Sequence, residues 1–355
     1  MVDFSERNAW EASMRIYFGT NRNPDNQENP TSFGKHFSPQ GLTDLRYGWA
    51  DVADDNFDHY TLTVAREVLK VDEEKALVGD LSGQILGSDT VFKEVREEMK
   101  RLQQDCILYI HGYNCLFENA IKSTAQLKIL YPDKILFLFS WPSDGEMFIY
   151  KPYISDRDDA RASGAALGRG LQRLAEFIRK TPRDDYCNQN IHLFAHSMGS
   201  YALRHALQSI KSSAGNYIRR LLDQIILFAA DEDDDSFELD YKFQPLPEMA
   251  RRVSVYHNAG DKALLVSDVT KSNPDRLGAS GPRNTRLLPD KVSVINCAPV
   301  LNWTKDPTGH NYYLINATVK KDVIAVLAGM DPNDIATREY QPEFRRYKLK
   351  QVRKN

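Results

Sequence analysis

The pentapeptide at 195–199, Ala-His-Ser-Met-Gly, constrains the fold of this 355-residue chain more than any other segment. It follows an apolar run at 190–194 and precedes a helical pattern at 201–210. A buried strand, a tight turn with a serine at its tip and then a helix form a nucleophile elbow. The strained turn requires small residues two positions away, and Ala195 and Gly199 meet that requirement, although glycine is usual at the first position. Serines between small residues also occur in ordinary turns, so further signals are needed.

A second signal lies before the elbow. The apolar run 106–110 is typical of a buried strand, and His-Gly-Tyr-Asn follows it at 111–114. The glycine lets the backbone turn and offer an N–H group to a developing oxyanion. We predict the backbone amide of Tyr113 as the first oxyanion donor. The second is the amide of Met198, in the first helical turn after the elbow, where the helix dipole favours negative charge.

Three buried strands are predicted after the elbow, at 224–230, 252–256 and 291–295. In an α/β-hydrolase the serine is followed along the chain first by the acid and then by the histidine, on strands of this kind. The sequence therefore predicts an α/β-hydrolase fold, with a mostly parallel central sheet and helices on both faces.

Three histidines follow the serine. His310 lies in the loop after the last predicted strand, where this fold delivers its general base, so we predict it as the base. His205 is interpreted as a residue on the polar face of the helix after Ser197, and His257 as a packing or surface histidine. The structural alternative for His310 is a loop histidine bonded to backbone.

The acid has two candidates. Asp261 follows the strand that usually carries it and is preferred, whereas Asp231 follows the preceding strand. Asp231 also begins the acidic run 231–235, which is typical of a solvated loop or a helix start. The run lacks the glycine and the alternating spacing of a calcium loop, so no metal site is predicted.

These residues predict a serine hydrolase acting through an acyl-enzyme. His310, oriented by Asp261, would take the proton of Ser197, and no cofactor would be needed. The expected substrate is a small-molecule carboxylic ester with a small or medium acyl group, because the polar N-terminal half offers no apolar lid. Thioester and amide cleavage use the same apparatus, and a noncatalytic binding protein of this fold is the other class left open.

Aromatic residues after the predicted strand 135–139 are candidates for the substrate pocket, because loops after parallel strands lie on the ligand side. These residues are Trp141, Phe148 and Tyr150. Simple packing is the alternative for each of them.

Five segments together resemble a known family. They are Tyr17-Phe18-Gly19-Thr20-Asn21-Arg22, His111-Gly112-Tyr113-Asn114, Phe139-Ser140-Trp141-Pro142-Ser143, Ala195-His196-Ser197-Met198-Gly199 and Gly309-His310-Asn311. The combination resembles the bacterial α/β-hydrolases of the domain-of-unknown-function 900 group, from about residue 15 to about residue 310. The resemblance implies the hydrolase fold and an esterase-like or lipase-like activity, without implying a substrate.

Composition is that of an ordinary globular protein, with a net charge of −3 that gives no indication of nucleic-acid binding. The first residues lack a basic segment followed by an apolar core, so no signal peptide is expected. No apolar stretch approaches the roughly 20 residues that span a bilayer. The four cysteines lack metal-ligand spacing. These features predict a cytoplasmic protein and leave its oligomeric state open.

The chain is predicted to divide into three parts: an arm at 1–14, an α/β-hydrolase domain at 15–330 and a basic tail at 331–355. Within the domain, 15–100 holds N-terminal strands and a long loop, and 101–330 is the catalytic core. Residues 23–58 are interpreted as an irregular segment that forms a possible wall over the active-site face. The tail is interpreted as a frayed, solvated end, because residues 345–355 include six lysines or arginines.

Overall fold

The computed structural model describes residues 14–53, 57–65, 68–69, 84–144, 151–213, 220–269 and 275–351. Its strands, in chain order, are β1 (Met14–Thr20), β2 (Arg22–Pro24), β3 (Phe33–Phe37), β4 (Arg46–Val52), β5 (Tyr60–Ala65), β6 (Val68–Leu69), β7 (Gln84–Ile85), β8 (Asp105–Ile110), β9 (Lys134–Ser140), β10 (Ile191–His196), β11 (Leu222–Phe228), β12 (Ala250–His257), β13 (Val292–Asn296), β14 (Arg338–Gln341) and β15 (Arg346–Leu349). Its α-helices are α1 (Gly87–Leu102), α2 (Phe117–Leu130), α3 (Lys151–Lys180), α4 (Met198–Ser213), α5 (Lys262–Val269), α6 (Leu277–Ser280), α7 (Tyr312–Ile315) and α8 (Ala317–Leu327). Short 3-10 helices lie at Arg183–Asp185, Leu246–Met249, Thr285–Leu287, Ala298–Val300 and Pro342–Phe344.

An 11-stranded sheet forms the centre, in the order β14-β15-β13-β12-β11-β10-β8-β9-β1-β4-β5. A central group of neighbouring strands is parallel: β1, β9, β8, β10, β11, β12 and β13. Antiparallel pairs of strands lie at both edges of the sheet. Register aligns Ile110 with both Phe139 and Ala195. The loops after β8, β9 and β10 therefore leave the sheet at the same edge.

Both faces of the sheet are covered by apolar helix faces. One cluster packs side chains of α1, α3 and α4, such as Phe92, Leu171 and Leu203, against the sheet. The other packs α2 and α8, through residues such as Ile121 and Val323, against the opposite face. Because the central strands are buried on both faces, they read in the sequence as continuous apolar runs, as expected for parallel strands. Among the residues described, no helix has the length and apolarity to cross a membrane.

The prediction of an irregular segment at 23–58 is wrong. Within it, β2 pairs with β3, and β4 pairs antiparallel with β1 inside the central sheet. The alternation of side chains along β4 is interrupted by Gly48. A Cβ at this position would stand 2.2 Å from the carbonyl oxygen of Thr63. This close approach between neighbouring strands explains a glycine in the strand interior.

The prediction of a solvated tail from residue 331 is also wrong for the described part of that segment. β15 pairs in parallel with β13, and β14 pairs antiparallel with β15. The charges are compensated there: the Arg338 guanidinium lies 2.7 Å from Asp322, and both are buried. The hydrolase domain thus continues to residue 349. Residues 1–13 of the predicted arm, and 352–355, lie outside the described residues, and Met14 already belongs to β1.

Candidate active site

The turn between β10 and α4 has the geometry of a nucleophile elbow. Ser197 has a φ of +51°, a left-handed conformation that is strained for a serine. A Cβ at Gly199 would stand only 2.5 Å from the carbonyl oxygen of His111, so the small residue is required by contact with the chain after β8. The Ser197 amide donates to Phe228 at 3.0 Å, and its carbonyl accepts from Asp231 at 3.1 Å. The elbow is therefore fixed between the ends of β8 and β11.

Asp261 and His310 are joined by a side-chain hydrogen bond. The distance from His310 Nδ1 to Asp261 Oδ2 is 2.7 Å, and the carboxylate is fully buried. The other carboxylate oxygen accepts from the amides of Ala263 and Leu264, at 3.0 and 3.1 Å, in the first turn of α5. Donation from Nδ1–H leaves Nε2 as a proton acceptor. The acid is thus anchored by a helix start and oriented toward the imidazole.

The loop that carries His310 is shaped by residues that the sequence analysis missed. Asp306 accepts from the amides of Gly309 and Asn311, at 3.0 and 2.7 Å. The Asn258 side chain, from the loop of Asp261, donates to Gly309 O at 2.8 Å. Gly309 has a φ of +66°, which glycine adopts without strain. Asp, Asn and Gly close together are a turn signal, but the sequence does not show which turns meet.

His196 connects this loop to the elbow. Its ring lies 4.7 Å from the ring of His310 and stacks on Tyr313 at 4.4 Å, both centroid distances. Burial holds the pKa of His196 well below its ordinary value, so its imidazole is neutral. Since His196 directly precedes Ser197, the contact brings the histidine loop beside the nucleophile. Ser197 itself is 6% exposed.

Asp231, the alternative acid, has other partners. Tyr153 donates its hydroxyl to Asp231 Oδ2 at 2.6 Å. The guanidinium groups of Arg157 and Arg276 lie 3.7 and 3.5 Å from the carboxylate. Asp231 therefore compensates buried positive charge, and the observed partner of His310 is Asp261.

The interpretation of the acidic run 231–235 as a solvated loop is wrong. Glu232 is fully buried and lies 3.2 Å from Arg204. Asp233 lies 2.6 Å from Arg276 and 2.8 Å from Lys242. Arg204 and Arg276 lie 28 and 43 residues from their partners and Lys242 only nine, so the run by itself does not indicate the compensation. Asp231, Glu232, Asp233 and Asp235 are each paired with a basic side chain, so these four carboxylates are less available to a cation.

The two predicted oxyanion donors come from the loop after β8 and from the residue that follows Ser197. Within the described ranges, the amides of Tyr113 and Met198 have no hydrogen-bond acceptor. A Cβ at Gly112 would stand 3.0 Å from Cβ of Ser197, so the loop after β8 packs directly against the elbow. Asn114, with a φ of +55°, continues the turn. The oxyanion role of the two amides stays a prediction.

A buried polar network supports this loop. Arg22, fully buried, donates through Nη2 to Cys115 O at 2.6 Å and through Nε to Ser140 Oγ at 2.9 Å. The Asn114 amide donates to Asp156 at 3.3 Å, and Ser143 bonds the same carboxylate. Burial lowers the pKa of Arg22 to about 10, so the guanidinium keeps its charge at neutral pH. Arg22 of β2, Ser140 at the end of β9 and Ser143 after it therefore hold the loop that follows β8.

Trp141 belongs to the same support. Its indole donates to His111 O at 2.9 Å, and the two rings stack at 5.1 Å between centroids. Burial lowers the pKa of His111 to about 3, so its neutral Nε2 accepts from the Trp141 amide at 3.2 Å. Trp141 is 0% exposed, and these contacts favour packing over the predicted role as a substrate wall. Phe148 and Tyr150, the other candidates for that wall, lie outside the described residues.

One carboxylate cluster could in principle hold a metal. Oxygens of Asp144, Asp156 and Asp159 lie within 4.8 Å of one another. Burial raises the pKa of Asp159 to about 6, with its acidic neighbours adding to the effect. Asp156 already accepts the bonds that hold the loop after β8, and we assign this cluster no metal.

Two further histidines have packing roles. His257 is buried, and its Nδ1 lies 3.0 Å from Ala279 O, which agrees with the packing interpretation. His205 is not on a polar face. A Cβ at Gly164 of α3 would stand 2.3 Å from Cβ of His205, so the histidine lies where α3 crosses α4.

A comparison with models of known protein families shows to which family this chain belongs. The model of the family described as "Alpha/beta hydrolase of unknown function (DUF900)" matches residues 88–327, more than half of the chain. The chain belongs to this family. The match and the strand order confirm the predicted α/β-hydrolase fold. No curated protein sequence matches the DUF900 chain.

Solved structures similar to the DUF900 chain include esterases and lipases. Lipase B of Aspergillus fumigatus is 11% identical, with a TM-score of 0.38, over 66% of this chain and 54% of the lipase. A thermostable carboxylesterase from a metagenomic library, EstE1, is 11% identical, with a TM-score of 0.32, over 69% and 98%. An esterase of Pyrobaculum calidifontis is 10% identical, with a TM-score of 0.33, over 89% and 88%. This chain thus spans about half of the lipase.

Proposed function

We propose that this DUF900 protein is a serine hydrolase that cleaves carboxylic esters with small or medium acyl groups through an acyl-enzyme. The observation that carries the proposal is the 2.7 Å contact between His310 Nδ1 and Asp261 Oδ2. This pair lies beside an elbow whose serine has a positive φ. A buried carboxylate that orients an imidazole next to a strained serine is the arrangement that general-base activation requires.

In the proposed mechanism, His310 Nε2 takes the proton of Ser197 Oγ as the oxygen attacks the ester carbonyl. The imidazolium that forms is stabilised by Asp261, and the oxyanion accepts hydrogen bonds from the amides of Tyr113 and Met198. Collapse of the tetrahedral intermediate breaks the bond to the alcohol, which leaves with the proton from His310. Water, deprotonated by the same histidine, then releases the acid and restores Ser197.

Limited access supports a small or medium acyl group. Ser197 is 6% exposed, and the His310 side chain is 12% exposed. A short acyl chain reaches such a serine with less rearrangement of the surrounding loops than a long one. Neutral His196 beside His310 adds no charge that would favour an ionic substrate.

The proposal is tested with p-nitrophenyl acetate, butyrate, octanoate and palmitate, compared with an acyl thioester and an anilide. Wild type should cleave acetate to octanoate faster than palmitate and form an acyl adduct on the peptide that contains Ser197. Ser197→Ala should lose turnover and adduct. Ser200→Ala is the matched control, because that hydroxyl is buried in α4, the helix that directly follows Ser197, and has no hydrogen-bond partner among the described residues.

Preference for the thioester or the anilide would leave the triad in place and replace the ester by another acyl substrate. Turnover that survives in Ser197→Ala would remove the proposed nucleophile. A folded wild type with neither turnover nor adduct would indicate a binding protein of this fold.

A further inference from the structure

A cavity of about 250 Å³ lies away from Ser197, between the sheet and the helices α1 and α3. Strands β8 and β9 contribute Cys106, Leu108, Phe137 and Phe139. The helices contribute apolar side chains, and one end is formed by the segment 186–189. Neither Ser197, Asp261 nor His310 lines it, so it is not the pocket of the proposed hydrolase site.

The cavity is partly open to solvent, so it is a pocket that a molecule can enter from outside and not an enclosed packing defect. An apolar cavity of roughly 150 Å³ engineered in another protein binds benzene, and drug-sized sites begin near 300 Å³. The volume here therefore suits a small apolar molecule or an aliphatic chain. The walls give water few polar partners, which favours an apolar occupant.

Arg96 is the one charged residue among the described residues that line the cavity. Its side chain is 18% exposed, and its guanidinium lies 5.6 Å from the ring centre of Phe177, another lining residue. Its ion-pair partner in the described part of the chain, Glu97, is 3.9 Å away and 53% exposed, so the pair is weak. A half-shielded guanidinium with free donors is suited to bind a carboxylate in bidentate fashion.

We propose that this cavity is a binding site for an unbranched aliphatic monocarboxylate of medium length. The chain occupies the apolar space between β8, β9, α1 and α3, and the carboxylate pairs with Arg96. The site is separate from the hydrolase site and does not depend on the function proposed for Ser197.

The test is calorimetric titration with decanoate and, as the uncharged analogue, decanol. Decanoate should bind wild type with a negative heat-capacity change, because apolar surface is buried. Binding of decanol should be weaker by about tenfold or more, and Arg96→Gln should reduce decanoate affinity by a similar factor. The matched control is Arg101→Gln, on the same helix but outside the cavity lining, with a side chain 69% exposed. It should bind decanoate like wild type.

Cys187 provides a readout located in the cavity itself. This thiol lines the cavity and is half-buried, whereas the other cysteines are buried. Decanoate should slow its alkylation by N-ethylmaleimide in wild type but not in Leu174→Trp, in which the larger side chain fills the cavity. If Leu174→Trp does not fold, Arg96→Gln should likewise lose the protection.

Equal binding of decanol and decanoate, equal loss in Arg96→Gln and Arg101→Gln, or alkylation of Cys187 unaffected by decanoate would each overturn the proposal. Protein whose serine has been blocked by a fluorophosphonate should still bind decanoate. Loss of binding in that blocked protein would assign decanoate to the hydrolase site and would also overturn the proposal.

Discussion

The loops after the neighbouring strands β11 and β12 each place a buried aspartate near the elbow, with different surroundings. Asp231 is 2% exposed and Asp261 is 0% exposed, so burial does not separate them. Asp231 lies between two guanidinium groups and the Tyr153 hydroxyl. Asp261 is bound by two backbone amides and the imidazole of His310. The neighbours of a buried carboxylate thus decide whether it compensates fixed charge or orients a base.

Two isosteric substitutions test the difference between Asp261 and Asp231 most strongly. Asp261→Asn should lower kcat for p-nitrophenyl butyrate by about 10⁴, because the imidazole loses its orientation and the imidazolium its stabilisation. Asp231→Asn should leave kcat within about tenfold but destabilise the fold by about 3 kcal/mol, because buried Arg276 and half-buried Arg157 lose a counter-charge. Initial rates and urea unfolding measure both effects.

The opposite result would contradict the roles assigned to the two aspartates. If Asp231→Asn lowers kcat more than Asp261→Asn while both remain folded, the assignment of the acid is wrong.

Arg22 is a buried cation that supports the loop after β8. Arg22→Met should lower kcat by about 10², because the loop that carries the Tyr113 amide loses the bond from Arg22 to Cys115 O. KM should change less than kcat, since the oxyanion develops in the transition state. A fall in stability with unchanged kcat would limit Arg22 to a structural role.

A double variant separates positioning from charge compensation. Asp156→Asn added to Arg22→Met removes the carboxylate left beside the missing guanidinium. Partial recovery of stability without recovery of kcat is expected.

His257, at the end of β12, makes stability depend on pH. Burial lowers its pKa from 6.5 to about 4 in the folded state. The unfolded chain therefore binds the proton first, and the stability contributed by neutral His257 is complete above pH 6.5 and is lost as the pH falls toward 4. Between pH 6.5 and about 4, protonation linked to this histidine should lower the free energy of unfolding by about 1.4 kcal/mol for each pH unit. Urea unfolding at a series of pH values should show a shallower decline for His257→Gln, and an identical slope would contradict the shift.

The smallest expected effect concerns the acidic run after β11. Ester hydrolysis should be unchanged by excess EDTA, because Glu232 and Asp233 are paired with arginine and lysine. Activity that is lost with EDTA and restored by a divalent cation would show that these carboxylates, or the cluster at Asp156, bind a metal that the reaction needs.

The sequence predicts the fold and the candidate site where the pattern involves residues close together in the chain. The elbow at Ser197 and the run before His111 are short segments that are recognised from residue types within a few positions of each other. The order of Asp261 and His310 along the chain follows from the fold class. The structure brings their side chains to 2.7 Å from each other, and their catalytic roles stay predictions.

The sequence was insufficient where partners come from distant segments. Arg22 and Cys115 are 93 residues apart, and nothing local to either indicates the bond. Compensation of the acidic run and of Arg338 likewise depends on side chains brought together by the sheet. The sequence predicts a tail at β15 because a strand rich in lysine and arginine, next to the outermost strand of the sheet, has the composition of a solvated segment.

The most direct test of an activated Ser197 is its rate of labelling by a fluorophosphonate. Wild type, Ser197→Ala and the control Ser200→Ala are incubated with the probe under identical conditions, and the labelled peptide is mapped. We expect labelling of Ser197 in wild type and in Ser200→Ala, and none in Ser197→Ala. Persistent labelling of Ser197→Ala, or no labelling of folded wild type, would contradict it.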